Sequence, residues 1–253
     1  MIQTSSDTFE LLKNSDIFNV IDCGESDKYE FTYLSFETTK QLISLTPTKC
    51  SGNLDAININ PEDIYSLDAH NTIVDIAVET IIDKAFKNSK NEKMFILDLE
   101  KPKFLSHDKD ILDEVQLPNH GRKLIARIFT ISNIIAMNSR RGPANYVILP
   151  ENLYKIIEVS TIKKYKGLYK PNNVADNLYN MTILCSDKLK DDEFVVGRKP
   201  NREESGLHVI TSEHNLSNYI SLGPDEMIQK IGVKILFIDD NDCTVYGCKI
   251  NWT

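Results

Sequence analysis

The residues that could do chemistry are few and scattered. Cys185-Ser186-Asp187 sets a thiol beside a hydroxyl and a carboxylate at the end of an expected strand, a place where a nucleophile could sit. A free cysteine serves more often as a small buried apolar residue, and that is the plainer role here. Asp239-Asp240-Asn241-Asp242 has the composition of a cation loop. A calcium loop of the helix–loop–helix kind spreads its ligands over about twelve residues with glycine at the sixth. Four polar residues between two expected strands fit a solvated turn instead, and Asp191-Asp192-Glu193, just before a strand, reads the same way. Asp68 and His70 lack a third partner in sequence. Cys243 and Cys248 fall on opposite faces of one expected strand and make no zinc pair. His70, His107, His120, His208 and His214 have no ligand spacing with one another or with cysteine. There is no G-x-G-x-x-G, P-loop, G-x-S-x-G or H-E-x-x-H motif. The sequence therefore offers no catalytic, cofactor or metal set. It offers one cationic pair, Arg140-Arg141, followed by Gly142. Such a pair can bind phosphate, stabilise a helix C-terminus, or meet a neighbouring subunit.

The elements around that pair are the clearest in the chain. Leu124, Ile128, Ile131 and Ile135 repeat at helical spacing, and Ile125, Phe129 and Ala136 widen the apolar face. The spacing predicts a helix over 120–141, with Asn119 as N-cap and Arg140 and Arg141 in the last turn. Gly142 suits the left-handed position after it, and Pro143 forbids continuation. Tyr146-Val147-Ile148-Leu149 follows as a strand closed by Pro150, with a short helix from Glu151 to Glu158 beyond.

Upstream, 1–19 is polar with scattered apolar anchors and reads as a short helix or an arm. Residues 20–50 suggest extended segments, with a turn at Gly24-Glu25-Ser26-Asp27 and only partial alternation, as in an exposed hairpin. A second helix is expected from Thr72 to about Asn88, with Thr72 and Asp75 as a capping box and Val74, Ala77, Val78, Ile81, Ile82 and Ala85 as its apolar face. Met94 to Leu97 reads as a strand, and 100–119 and 160–178 as loops. Strands are expected at 181–185, 194–196 and 207–210. Lys234 to Asp239 and Thr244 to Trp252 read as a terminal hairpin.

Over 253 residues the chain carries a net charge of −8. Residues 1–119 hold 22 acidic and 11 basic side chains, a net of −11; residues 120–253 hold 15 and 18, a net of +3, with all six arginines. Such asymmetry suits either a solvated acidic surface or complementary faces that meet between copies. No basic stripe interleaved with aromatics marks a nucleic-acid reader, and no apolar run reaches membrane-spanning length. Met1 to Asp7 lacks the basic and apolar regions of a secretory signal. Five cysteines without paired spacing fit reduced thiols.

One family resemblance emerges. The segment Ile134-Ile135-Ala136-Met137-Asn138-Ser139-Arg140-Arg141-Gly142-Pro143-Ala144-Asn145-Tyr146-Val147-Ile148-Leu149 resembles the spine-helix exit of T-even-type tailed-phage capsid proteins: an arginine-glycine turn, a small residue, Asn, an aromatic, then an aliphatic strand. Met181 to Ser186, then Asp192-Glu193-Phe194-Val195-Val196-Gly197-Arg198-Lys199, then Glu204-Ser205-Gly206-Leu207-His208-Val209 is similar to three later strands of that family, in order. Ile231-Gly232-Val233-Lys234 is similar to its late Gly-Phe-Lys segment. Arg198 stands where the family has Tyr and Pro200 where it has Gly, so the turn after this strand must differ.

The resemblance covers roughly residues 72–236. It implies an α+β chain with the Hong Kong 97-like fold: an N-terminal arm (1–19), an extended hairpin loop (20–50), a peripheral-type domain (51–143 and 204–253) holding the spine helix at 120–141, and an axial-type domain (144–203). It implies a major capsid protein of a tailed bacteriophage, not an enzyme, that self-assembles into the icosahedral head shell enclosing the DNA genome. A pentameric vertex subunit and a soluble α+β enzyme or small-molecule binder are the alternatives. The implied partners are further copies in hexameric or pentameric capsomers, then vertex, portal or decoration proteins, with packaged DNA met only non-specifically and no membrane. The implied setting is the virion, assembled in the bacterial host cytoplasm. Arg140, Arg141 and Gly142 are the candidate assembly contacts.

Overall fold

The computed structural model describes residues 11–38, 43–59, 69–89, 95–100, 117–161, 163–165, 168–170, 178, 181–212, 218–223, 226–238 and 244–253. It is an α+β chain whose contacts divide it into two compact units. Residues 1–81 and 199–242 make the first; 82–198 and 243–253 make the second. These boundaries fall elsewhere than 143/144 and 203/204, where the sequence reading divides peripheral-type from axial-type segments.

In the first unit, β1 (Asn19–Asp22), β4 (Asp55–Ile59), β11 (Gly206–Thr211), β12 (Asn218–Gly223) and β13 (Glu226–Ile238) form one sheet. β1 runs parallel to β11, with Asn19 opposite His208 and Asp22 opposite Thr211. Every residue of β11 is buried. The turn at 24–27 therefore does not join a hairpin between β1 and the strand that follows it. Ile21 is buried, so β1 is drawn into this sheet instead. The long hairpin is β2 (Lys28–Thr38) with β3 (Ile43–Asn53), two strands of 11 residues paired from Lys28↔Asn53 to Thr38↔Ile43.

The second unit is built on a sheet ordered β5 (Ile96–Leu99), β14 (Val245–Trp252), β10 (Glu193–Gly197), β6 (Tyr146–Leu149), β9 (Thr182–Cys185). Strand alternation assigns its faces. Val147, Leu149, Phe194, Val196, Tyr246, Cys248 and Ile250 share one apolar cluster with Leu124, Ile128, Ile131 and Ile135 of the long helix α2 (Leu117–Ser139) and with Leu153, Ile156 and Ile157 of α3 (Glu151–Thr161). The other face is also covered: Phe86, near the end of α1 (Ala69–Ser89), lies against Gly247. A sheet covered on both faces reads as continuous apolar runs, which is why Tyr146 to Leu149 does not alternate. A two-stranded ribbon, β7 (Lys163–Tyr165) with β8 (Leu168–Lys170), follows α3 in a stretch expected to be loop.

Four sequence expectations change. The expected terminal hairpin is not one: Lys234 to Ile238 ends β13 in the first unit, whereas β14 lies between β5 and β10 in the second. Turn-like residues report that the chain reverses, not which strands then pair, and β14 buries Val245, Tyr246, Cys248 and Ile250 only between two neighbours. Thr72 is no cap, because α1 begins at Ala69. α2 starts at Leu117, so Asn119 lies within its first turn, where Pro118 is tolerated. The helix stops at Ser139, which leaves Arg140 and Arg141 beyond its last turn. Residues 1–10, 101–116, His107, His214, Asp68, Cys243 and the Asp239–Asp242 cluster lie outside the described residues.

Candidate functional site

The exit of α2 is a joint between distant segments. Arg140 N still donates to Ala136 O at 3.0 Å, but Arg140 has φ 55 and Gly142 φ 116. The first left-handed residue is thus an arginine rather than the expected glycine. A left-handed non-glycine residue costs on the order of 1–2 kcal/mol. Pro143 then turns the chain back, and Ala144 N donates to Ser132 Oγ at 3.0 Å inside the core. Asn145 N donates to Gly197 O at 3.0 Å, and Asn145 O accepts from Thr182 N at 2.8 Å. The ring of Tyr146 lies on Gly197, where an added Cβ would come within 2.2 Å of its Cζ and Oη. Burial holds the Tyr146 hydroxyl well above the usual phenol range. Small residue, Asn and aromatic after the turn, and Gly at the end of Phe194-Val195-Val196-Gly197, are therefore the two halves of one packing contact.

This joint also collects charge. Arg140 is exposed, and Arg141 and Gly142 are half-buried. Arg198, on the strand exit beside them, donates its backbone N–H to Thr244 O at 3.0 Å. Its Nη1 lies 3.4 Å from where a Cβ on Gly142 would be. The structure thus brings together Arg140, Arg141 and Gly142, as their adjacency requires, and adds Arg198. Sequence reading marked Arg198 only as a departure from the family pattern; that departure was the available signal.

The hairpin is the second feature. Tyr29, Phe31, Tyr33 and Ser35 share one face with Thr46, Thr48, Cys50 and Gly52 opposite. Tyr29 and Phe31 are buried with Ile21, Ile210 and Ile238. The inner half of the hairpin therefore belongs to its own unit's core, contrary to the expectation that little of 20–50 does. Phe31 also packs on His208, their rings 5.6 Å apart. His208 is fully buried. Its Nε2 lies 2.8 Å from Glu204 O and its Nδ1 3.2 Å from Asn19 Nδ2. A neutral ring with the proton on Nε2 satisfies both bonds, and burial lowers the imidazole pKa. Farther out, Leu34 N donates to Glu203 O at 2.9 Å, and Leu45 is 52 % exposed.

Among the described residues no candidate thiol is activated. Burial raises the thiol pKa of Cys23 and Cys50, burial and then Glu151 raise that of exposed Cys185, and burial pushes Cys248 up to about 12. A nucleophilic cysteine needs the opposite shift. Among the described residues no three His, Cys, Asp or Glu side chains are grouped to hold a metal, and no helix is long and apolar enough to cross a membrane. Glu193 is not the solvated turn residue expected: it is buried, and its Oε1 pairs with Lys249 at 2.9 Å and Lys190 at 3.3 Å. Burial alone would raise its pKa, but hydrogen bonds from Lys249 and Lys190 outweigh it and lower it. Stability from this group is complete above the ordinary carboxylate range and is lost as pH falls through the lowered folded value. Glu193→Gln should therefore cost about 1 kcal/mol at neutral pH and nothing once the carboxylate is protonated in both states. Urea midpoints at pH 7 and near pH 2 (about two units below the ordinary Glu pKa) test this, and an equal deficit at both would remove the ion pairs as its cause.

No protein-family model matches the chain, and no curated protein sequence matches it. Solved structures do. The chain is similar to a virus-like particle from Pyrococcus furiosus, at 11% identity and TM-score 0.46 over 96% of this chain and 97% of that one. It is similar to the capsid of Myoviridae phage XM1, at 11% identity and TM-score 0.44 over 95% and 91%. The holo-SrpI encapsulin complex from Synechococcus elongatus matches at 9% identity and TM-score 0.39 over 98% and 88%. Likeness this distant leaves the role of the chain to its own elements. Those elements are the long helix Leu117–Ser139 and the two-stranded hairpin Lys28–Asn53.

Proposed function

We propose that this chain is a Hong Kong 97-like shell protein: the major capsid protein of a tailed bacteriophage, which self-assembles into the icosahedral head around the DNA genome. The T-even-type pattern at 134–149 and 181–209 supports that branch. On this reading its partners are further copies in hexameric or pentameric capsomers, and vertex, portal or decoration proteins attach to the finished shell. DNA is met non-specifically, and the assembled protein resides in the virion.

The observation that carries the proposal is the hairpin. Its inner half is anchored by Tyr29 and Phe31. Its outer half continues the two-stranded pairing with Leu45 exposed. An isolated two-stranded ribbon is marginal in water, and its open edges invite another chain. Replacing Phe36 to Leu45 by Asn-Gly, which closes the ribbon at the Ser35↔Thr46 pair, should change the subunit's unfolding free energy by no more than about 0.5 kcal/mol. Particle yield, counted by negative-stain microscopy, should collapse because an interface loses its area. Intact shells from this variant would remove the assembly role. A wild-type chain that scatters light as a single small subunit at every concentration would favour an enzyme or binder.

A further inference from the structure

We propose that His208 is an acid-sensitive latch: a proton taken up by its buried ring releases β1 and the root of the β2–β3 hairpin from β11. The latch lies within one subunit and needs no second copy, so it stands apart from the shell reading.

His208 sits where four segments meet. It is fully buried on β11, opposite Leu236 of β13. Asn19, the first residue of β1, places its Nδ2 3.2 Å from the ring Nδ1. The ring Nε2 lies 2.8 Å from Glu204 O, in the loop before β11. Phe31 of β2 lies against the ring, their centroids 5.6 Å apart. The same loop holds the hairpin and the N-terminal segment, because Leu34 N donates to Glu203 O at 2.9 Å and Lys199 Nζ donates to Ser15 O. One side chain thus ties β1, the hairpin and their shared loop to a strand inside the sheet.

The neutral ring fits this place and the charged ring does not. When neutral, Nε2–H donates to Glu204 O and Nδ1 accepts from Asn19. A second proton makes Nδ1 a donor that faces a donor. Asn19 must then turn its amide over or withdraw, and the new charge stays in a site without solvent. Asn19, Phe31 and Leu236, from the three neighbouring strands, carry no charge. Glu204 is the charged group that acts on the ring and favours the proton. Its carboxylate already accepts from Asn201 N at 2.9 Å and from Asn201 Nδ2 at 3.2 Å. Burial outweighs it and lowers the imidazole pKa. The unfolded chain therefore binds the proton where the fold still refuses it. Stability from this group is complete above about pH 6.5 and is lost as pH falls toward the lowered folded value.

The loss has a preferred place. Among the described residues β1 is a four-residue edge strand paired to β11 alone. β11 keeps six pairs with β13 on its other side. The charge reaches water at least cost by opening the side of β1 and the hairpin root, while β11 stays in the sheet.

Hydrogen exchange of the full chain, corrected for intrinsic rates, tests the latch at about pH 7.5 and about pH 5.5, one unit either side of the ordinary imidazole value. Protection over Asn19 to Asp22 and Lys28 to Leu34 should fall about tenfold at the lower pH, with α2 and β6 unchanged. His208→Gln should abolish the dependence on pH. Asn19→Asp offers an acceptor to the protonated ring, so β1 should stay protected at the lower pH. Equal protection of the wild-type chain at both values would overturn the latch, as would a fall that persists in His208→Gln. If the variants do not fold, an NMR titration of the wild-type ring decides: an imidazole that titrates at or above about pH 6.5 would overturn it. Exchange is read whether or not particles form, so failure here leaves the shell reading untouched.

Discussion

Gly197→Ala is expected to leave little folded protein. A Cβ at this position would sit 2.2 Å from Cζ and Oη of Tyr146, well inside van der Waals contact. Neither partner can retreat. Tyr146 is among the largest buried side chains of the chain. Gly197 is held in register on both sides, opposite Tyr146 on β6 and Val245 on β14. Moving the backbone would also break the bond from Asn145 N to Gly197 O. Overpacking a rigid core costs about 3 kcal/mol when it cannot relax, a large part of a total that is usually about 5–15 kcal/mol. Tyr146→Ala alone should cost about 3–5 kcal/mol through the cavity it leaves. The double variant should be less damaged than the two losses summed, because the new methyl then occupies vacated space. Urea unfolding of the three variants measures the coupling, and strictly additive losses would mean that the ring and the glycine do not touch.

Ile128→Asp should be the most damaging change in α2. Ile128 is fully buried with Leu124, Ile131 and Ile135 against the second sheet. Removing its aliphatic volume costs about 2–5 kcal/mol. Leaving a carboxylate there adds several more, or forces it to take up a proton. Together these approach the whole stability of a typical domain, so no cooperative thermal transition should remain by circular dichroism. Ile128→Val, which removes one methyl group, should cost about 0.5–1.5 kcal/mol and keep a sharp transition. A wild-type melting curve for the aspartate variant would show that another face of the helix is inside.

What could be read in the sequence follows from how local the deciding interactions are. Leu124, Ile128, Ile131 and Ile135 repeat with the helix itself, and Gly142-Pro143 ends it within two residues, so α2, β6 and α3 were legible to within a turn. Asn19 to Asp22 has the same β-type composition as the hairpin beyond it, and nothing local separates a strand that joins β11 from one that pairs with β2. Lys234 to Ile238 and Val245 to Trp252 are strands, as read, but their partners lie far off in sequence. The candidate contact divides in the same way. Arg140 and Arg141 stand next to Gly142 in any conformation, whereas Arg198 reaches that glycine only through the β6–β10 pairing. The left-handed arginine was missed because a glycine two residues later satisfied the local rule.

The insertion of β14 into the middle of its sheet has a kinetic consequence. β14 pairs with β5 through Lys249↔Ile96 and with β10 through Val196↔Tyr246, so that sheet cannot close until residue 252 has left the ribosome. The other sheet waits almost as long, since β1 is held by β11, and β11 by β13. Contacts so distant in sequence make folding slow. During that interval the early segments, the hairpin among them, are already synthesised but have no finished unit to present them. Synthesis itself therefore imposes an order in which both sheets close only after nearly the whole chain has been made.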